Sequence, residues 1–308
     1  MTASPETSFS KAFTLVELIV SVALLSLIVL LTTQMLGEAS RTTQASSKRI
    51  DAASQARIFL DRFAYDFGGA IRDGGLTTLY YGDNANEAGN SSIGFICNSR
   101  PRTTTSAFSA FFRGAAIGFR VEPYTDNGRS FPMVGRGDGR LLYKSTGTNA
   151  TYRFDDLFKK MGNDLVSGSE TILNYQSIGA GLFKMHVSFL LNDGTIVQTP
   201  PRYKDFLPTI SLNANAIPVA FSTEDSADPA KRFVVALIVG TAVLDTQSRD
   251  LGYSISPTFL SSLSSELKRP TQDGQTPLAV WSSNLAASTA IQPVKASIRF
   301  YERMFRVN

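Results

Sequence analysis

The chain has one cysteine, Cys97, and one histidine, His186, in 308 residues. A single cysteine excludes an intramolecular disulfide, so a place outside the cytoplasm has to be tolerated without covalent staples, which a domain of this size can do. One cysteine and one histidine also leave no credible zinc set, because zinc sites draw on three or four such ligands. No metal and no cofactor is expected. Nor does the sequence contain G-x-S-x-G, GxxxxGK[ST] or H-E-x-x-H. A catalytic Cys97–His186 pair would need a coincidence of folding; Cys97 reads as a half-buried strand residue and His186 as a surface-facing one. These absences argue against an enzyme. Asp126-Asn127-Gly128 and Asp193-Gly194 read as turns and lack the oxygen-ligand spacing of an EF-hand loop.

Charge is sparse too. Charged residues make up 18% of the chain and the formal net charge is +4, a mildly basic balance that selects no class of partner. The 43% of hydrophobic residues is enough for a core of ordinary size.

What is abundant is apolar length at the N-terminus. Lys11 to Leu31 reads "KAFTLVELIVSVALLSLIVLL". From Phe13 to Leu31 this is about 19 residues, roughly 28 Å as a helix, close to the thickness of a hydrocarbon core. A secretory signal would place a small-residue cleavage site after the apolar core, and no such site with a polar mature start follows Leu31. Lys11 and the starting amine, opposed by Glu6, favour a cytoplasmic N-terminus. Glu17 is the anomaly, since a carboxylate within a span costs a few kcal/mol. It is either an interfacial side chain that snorkels to the headgroups or a group with a partner and a function.

The stretch "AFTLVELIVSVALLSLI" resembles the class III signal of type IV prepilins and type II secretion pseudopilins, with a short polar leader, a small residue at the cut, then Phe-Thr-Leu-Val-Glu and an apolar helix. The resemblance covers about the first 31 residues. It implies that residues 1–12 are a leader and that a prepilin peptidase cuts between Ala12 and Phe13 on the cytoplasmic side. The same peptidase/methyltransferase would N-methylate Phe13, and Glu17 would pair with the N-terminal amine of a neighbouring subunit. In low dielectric an isolated carboxylate and an isolated ammonium are each costly, and pairing offsets part of both. The family usually has Gly where this chain has Ala12, which keeps the position small.

The helical pattern continues. From Thr32 to Phe67 there is no proline, and Ile50, Ala53, Ala56, Leu60, Phe63 and Phe67 recur at spacings of three and four, one apolar stripe opposite Arg49, Gln55, Arg57, Asp61 and Arg62. Gly68-Gly69 is the expected stop. Residues 13–67 then form one long helix, spanning a membrane over 13–32, or two helices hinged near Gly37.

Beyond Gly69 the pattern changes to strands. "SSIGFIC", "AAIGFRVEPY" and "GRLLYKS" are short apolar runs between turn residues. "KMHVSFLLNDGTIVQT" is a hairpin turning at Asp193-Gly194. "FVVALIVGTAVLD" reads as a buried central strand ending at Asp245, "SPTFLSSLSSELKR" as a helix capped by Ser256 with Pro257 first, and "TPLAVWSSNLAAS" as another helix. Val294, Ala296 and Ile298 alternate with polar residues in a closing strand. Residues 68–308 are thus expected to be an α+β domain, pilin-like, with a mainly antiparallel sheet packed on the C-terminal half of the long helix.

Arg100, Arg102, Arg113, Arg120, Arg129, Arg136 and Arg140 crowd one segment among aromatic residues. Solvated strand faces explain them most simply; a basic surface for nucleic acid, centred on Arg100, Arg102 and Arg113, is the alternative. A weaker likeness of "QARIFLDRFAYDF" and the large soluble part is to the J-type minor pseudopilins. The resemblance therefore implies a non-enzymatic minor pseudopilin or minor pilin of a type II secretion pseudopilus or type IV pilus. It would be anchored once in the bacterial inner membrane with its domain periplasmic or extracellular. Its partners would be the peptidase, membrane lipid, other pilins or pseudopilins and the inner-membrane assembly platform. Val16, Leu18, Val20, Leu24, Leu25 and Ile28 would pack against other subunits. The other alternative is a single-pass anchored domain with a different binding role.

Overall fold

The computed structural model describes residues 14–70, 79–84, 89–97, 115–126, 129–140, 164, 173–201, 216–218, 232–256, 258–290 and 292–307. The chain divides into two compact units, residues up to Ser47 and residues from Lys48 onward. A 54-residue helix, α1 (Leu15–Gly68), runs through Gly37 without interruption and ends at the expected glycine pair, with Gly69 in a turn.

In the second unit α1 buries Ala52, Ala56, Phe59, Leu60, Phe63 and Phe67. The stripe is rotated from the one expected. Ile50 is 67% exposed and Ala53 is exposed as well, because the aromatic ladder of Phe59, Phe63 and Phe67 fixes the buried direction and Ile50 lies well round the helix from it. Ala52 and Phe59 take the inward places.

Among the described residues, ten strands form two antiparallel sheets. The first contains β1 (Leu79–Asp83), β2 (Ser91–Cys97), β3 (Ala115–Asp126), β4 (Arg129–Arg140), β5 (Asn174–Ser177) and β8 (Ala216–Pro218), in the order β5-β4-β3-β2-β1-β8. β3 and β4 pair along their whole length from Ala115↔Arg140 to Asp126↔Arg129. The strand Arg129–Arg140 had no counterpart in the expectations, and most of "GRLLYKS" lies outside the described residues. Its glycines and its proline, paired opposite Pro123, hide the strand from any alternation of apolar residues.

The second sheet has the order β10-β9-β6-β7, from β6 (Leu182–Leu191), β7 (Ile196–Val197), β9 (Val234–Leu244) and β10 (Ile298–Arg306). β9 is central and almost wholly buried. β6 and β7 form the hairpin turning at Asp193-Gly194, where Gly194 takes φ 83°, a left-handed conformation that glycine adopts without steric cost. Side chains of α1 meet both sheets in one core, for Phe63 lies 5.0 Å from Phe119 and 4.8 Å from Phe305 between ring centroids.

Among the described residues, four helices follow β9. α2 (Thr246–Ile255) starts at Asp245, whose carboxylate accepts the Ser248 N–H at 3.0 Å. α3 (Phe259–Glu266) begins later than expected: Thr258 is its N-cap without a side-chain cap bond, and Ser256 closes α2 instead. α4 (Pro277–Ala287) starts at Thr276 with Pro277 first. Val294 belongs to the short α5 (Gln292–Lys295), so β10 opens only at Ile298. A second core around Trp281, Tyr253 and Leu263 joins these helices to the four-stranded sheet.

Candidate functional site

The first unit presents one chemical feature, an apolar helix with a carboxylate at its start. An 18-residue window of α1 has a mean hydropathy of 2.7, with none of it buried within the chain. The helix is long and apolar enough to span a membrane. Val16, Leu18, Val20, Leu24, Leu25 and Ile28 are 50–67% exposed, and so are Ile19, Val22 and Leu27. The run is apolar on every side, so the six positions are not distinguished from their neighbours.

Its hydroxyls are satisfied by the helix itself. Ser21 donates to Leu18 O at 2.9 Å, Ser26 to Val22 O at 2.8 Å, Thr32 to Ile28 O at 2.9 Å and Thr33 to Val29 O at 2.7 Å. Hydroxyls folded back on their own backbone suit a medium that offers no water.

Glu17 has a local partner, Thr14, beyond the headgroup or neighbouring subunit expected from the sequence. Thr14 donates from its backbone N at 3.0 Å and from its hydroxyl at 2.9 Å to Glu17 Oε2, while Glu17 N donates back to Thr14 Oγ1 at 3.3 Å. This is a capping box, with Thr14 at the N-cap and Glu17 at the third helical position. The signal was legible as Thr14-x-x-Glu17 just before the apolar run. Ala12 and Phe13 lie outside the described residues.

Polar side chains inside the second unit join elements rather than open onto a site. Ser91 Oγ lies 2.7 Å from His186 Nδ1, and His186 Nε2 lies 3.2 Å from Gln198 Oε1. Ser91 and His186 are fully buried, which corrects the surface-facing expectation. The imidazole faces inward because both faces of β6 are covered: Met185, Val187 and Phe189 lie in the core with α1, and His186 on the other side is closed in by Ser91 and Gln198. Burial drives its pKa down to about 3, against the opposing pull of the Gln198 hydrogen bond. A serine beside a histidine has the makings of a nucleophile and base, but here an amide oxygen stands where a carboxylate orients the base, and both groups are closed to solvent. Asn90 completes the lock, accepting Met185 N at 3.0 Å and donating to Ser264 Oγ at 3.3 Å. Lys184, also fully buried, donates to Ser264 O at 2.6 Å.

Two of the clustered arginines are interior residues. Arg136 donates to both oxygens of Asp66 at 2.5 and 3.2 Å. Arg120 is 5% exposed, bonds to Glu122 and the Asp164 carbonyl, and stacks 4.0 Å from the Tyr175 ring centroid. Both are spent on ion pairs and leave the basic surface. Arg100, Arg102 and Arg113 lie outside the described residues. Cys97 is fully buried, not half-buried, with its thiol donating to Asp66 O at 3.0 Å.

No cluster of three or more His, Cys, Asp or Glu side chains suited to a metal occurs among the described residues. A shallow cleft of about 240 Å³ beside Ile58, Arg62, Arg136 and Gln176 borders the Asp66 ion pairs and brings no nucleophile and base together. Comparison with protein families, with curated proteins and with solved structures finds no match for this chain.

Proposed function

We propose that this chain is a non-enzymatic structural subunit of a pilin-like assembly, a minor pseudopilin or minor pilin held in the bacterial inner membrane by α1. The observation that carries the reading is a membrane-length helix, apolar on every side and with its hydroxyls internally bonded, that bears one carboxylate, Glu17, in its first turn. The capping box gives the side chain a local use, but an uncharged glutamine would serve it as well, so a full carboxylate beside an apolar span calls for a further role. In this proposal a peptidase removes residues 1–12, Phe13 becomes the methylated amino terminus, and Glu17 meets the amine of a neighbouring subunit. An assembly platform then draws the helix from the bilayer into a bundle with other subunits, and the domain rides outside the membrane.

Glu17→Gln tests the reading, because glutamine also serves in a capping box but carries no charge. The full chain bearing Glu17→Gln is expected to stay in the membrane fraction, folded, and to disappear from sheared or cross-linked assemblies. A variant that assembles as the wild type does would reduce Glu17 to a helix cap and remove the support for this reading.

A further inference from the structure

The strand β10 closes one side of the four-stranded sheet and has a strand partner, β9, on one edge only among the described residues. Val307 N bonds to Val235 O at 2.8 Å, which sets the alternation: Arg299, Tyr301, Arg303 and Phe305 turn their main-chain groups toward β9. Phe300, Glu302, Met304 and Arg306 turn theirs outward. Unpaired edges of this length invite another strand.

The side chains on that outward set read Glu302, Met304, Arg306, and Met304 is 49% exposed. We propose that β10 pairs antiparallel with β10 of a second copy of this chain, about a two-fold axis through Met304. In that register Met304 faces its counterpart, Glu302 of each copy faces Arg306 of the other, and Arg303 lies opposite Phe305. Opposite charges across a strand pair stabilise it and like charges weaken it. Two other registers set like charges together, carboxylate against carboxylate for an axis at Glu302 and guanidinium against guanidinium for one at Arg303, and an axis at Phe305 forfeits both Glu302–Arg306 pairs. A shift by one residue would bring outward groups against inward ones. Glu302 is held for the contact, since its Oε2 accepts the Leu278 N–H at 2.9 Å at the start of α4, which leaves Oε1 for the guanidinium. Residue i meeting j while j meets i is the mark of a two-fold, self-complementary interface. The contact lies wholly in the second unit and stands apart from the proposed role of Glu17.

The test uses the full chain in detergent. The wild type is expected to have the mass of a dimer by light scattering, and Arg306→Glu that of a monomer, with Glu302→Arg added to Arg306→Glu restoring the dimer. Met304→Cys is expected to form an intermolecular disulfide on mild oxidation, while Asp193→Cys, at the β6–β7 turn, does not. Should Glu302→Arg disturb α4, Met304→Pro supplies the second arm, because the Met304 N–H faces outward and its removal costs β9 no bond; the folded chain should then be monomeric. A monomeric wild type, or a dimer that survives both Arg306→Glu and Met304→Pro, overturns the proposal. Neither result bears on processing at Ala12, so the two readings fail separately.

Discussion

Arg136 grips Asp66 through two nitrogens, Nε to Oδ2 at 2.5 Å and the second to Oδ1 at 3.2 Å, and so fastens the last turn of α1 to β4. The Asp66 side chain is 1% exposed, and Arg62, one turn earlier on the helix, adds a bond at 3.1 Å. Removing one partner of a buried pair leaves the other charge without compensation. Arg136→Met is therefore expected to cost about 3 kcal/mol, the half-exposed Arg62 offsetting only part of the loss. Urea unfolding of the full chain in detergent, wild type against variant, measures it.

Phe63 is the residue on which α1 and both sheets converge, with Phe59, Phe67, Phe95, Phe119 and Phe305 around it. Phe63→Ala should lower stability by about 3–5 kcal/mol. Ile50→Ala, on the outer side of the same helix, should change it by less than about 0.5 kcal/mol. Equal effects from the two would refute the observed orientation of the helix.

Folding stability should fall with acid through His186. The folded chain keeps this imidazole neutral until about pH 3, whereas an unfolded histidine takes a proton near pH 6.5. Between those values the unfolded state binds more protons, so stability rises with pH across the window and is lost as pH falls below about 6.5. The wild-type chain minus a His186→Gln variant, followed by urea midpoints from pH 7 to pH 4, should isolate this slope from that of the carboxylates. A difference that stays flat contradicts the burial of the ring.

Gly240 sits where a Cβ would come 2.5 Å from Pro277 Cβ at the start of α4. Gly240→Ala should push α4 off β9 and cost about 1–3 kcal/mol. Loss of near-ultraviolet ellipticity from the buried Trp281 would accompany it.

The elements that sequence made legible are those whose local pattern and burial agree. β9 is apolar because both of its faces are covered, the β6–β7 hairpin turns at the glycine that needs positive φ, and α4 carries its threonine and proline in order. Other features depended on tertiary context. Ile50 looks like a core residue until Phe59 and Phe63 set the direction of burial, and β4 carries three glycines and a proline that pairing with β3 and β5 makes into a strand. His186 lies in a strand of alternating residues, and only tertiary contacts with Ser91 of the other sheet and with Gln198 turn that polar position inward. At the candidate site, the apolar run and Glu17 were plain in the sequence. The Thr14–Glu17 capping box is equally plain there, since Thr14-x-x-Glu17 stands just before the apolar run and the glutamate is an acceptor as well as a charge.

The proposed role requires that residues 1–12 be removed and that Glu17 serve an assembled subunit. Intact mass and N-terminal sequencing of the protein taken from its native membrane test it most directly. The proposed role predicts a chain beginning with N-methylated Phe13; a mature chain that still carries Ala12 and the residues before it would contradict it.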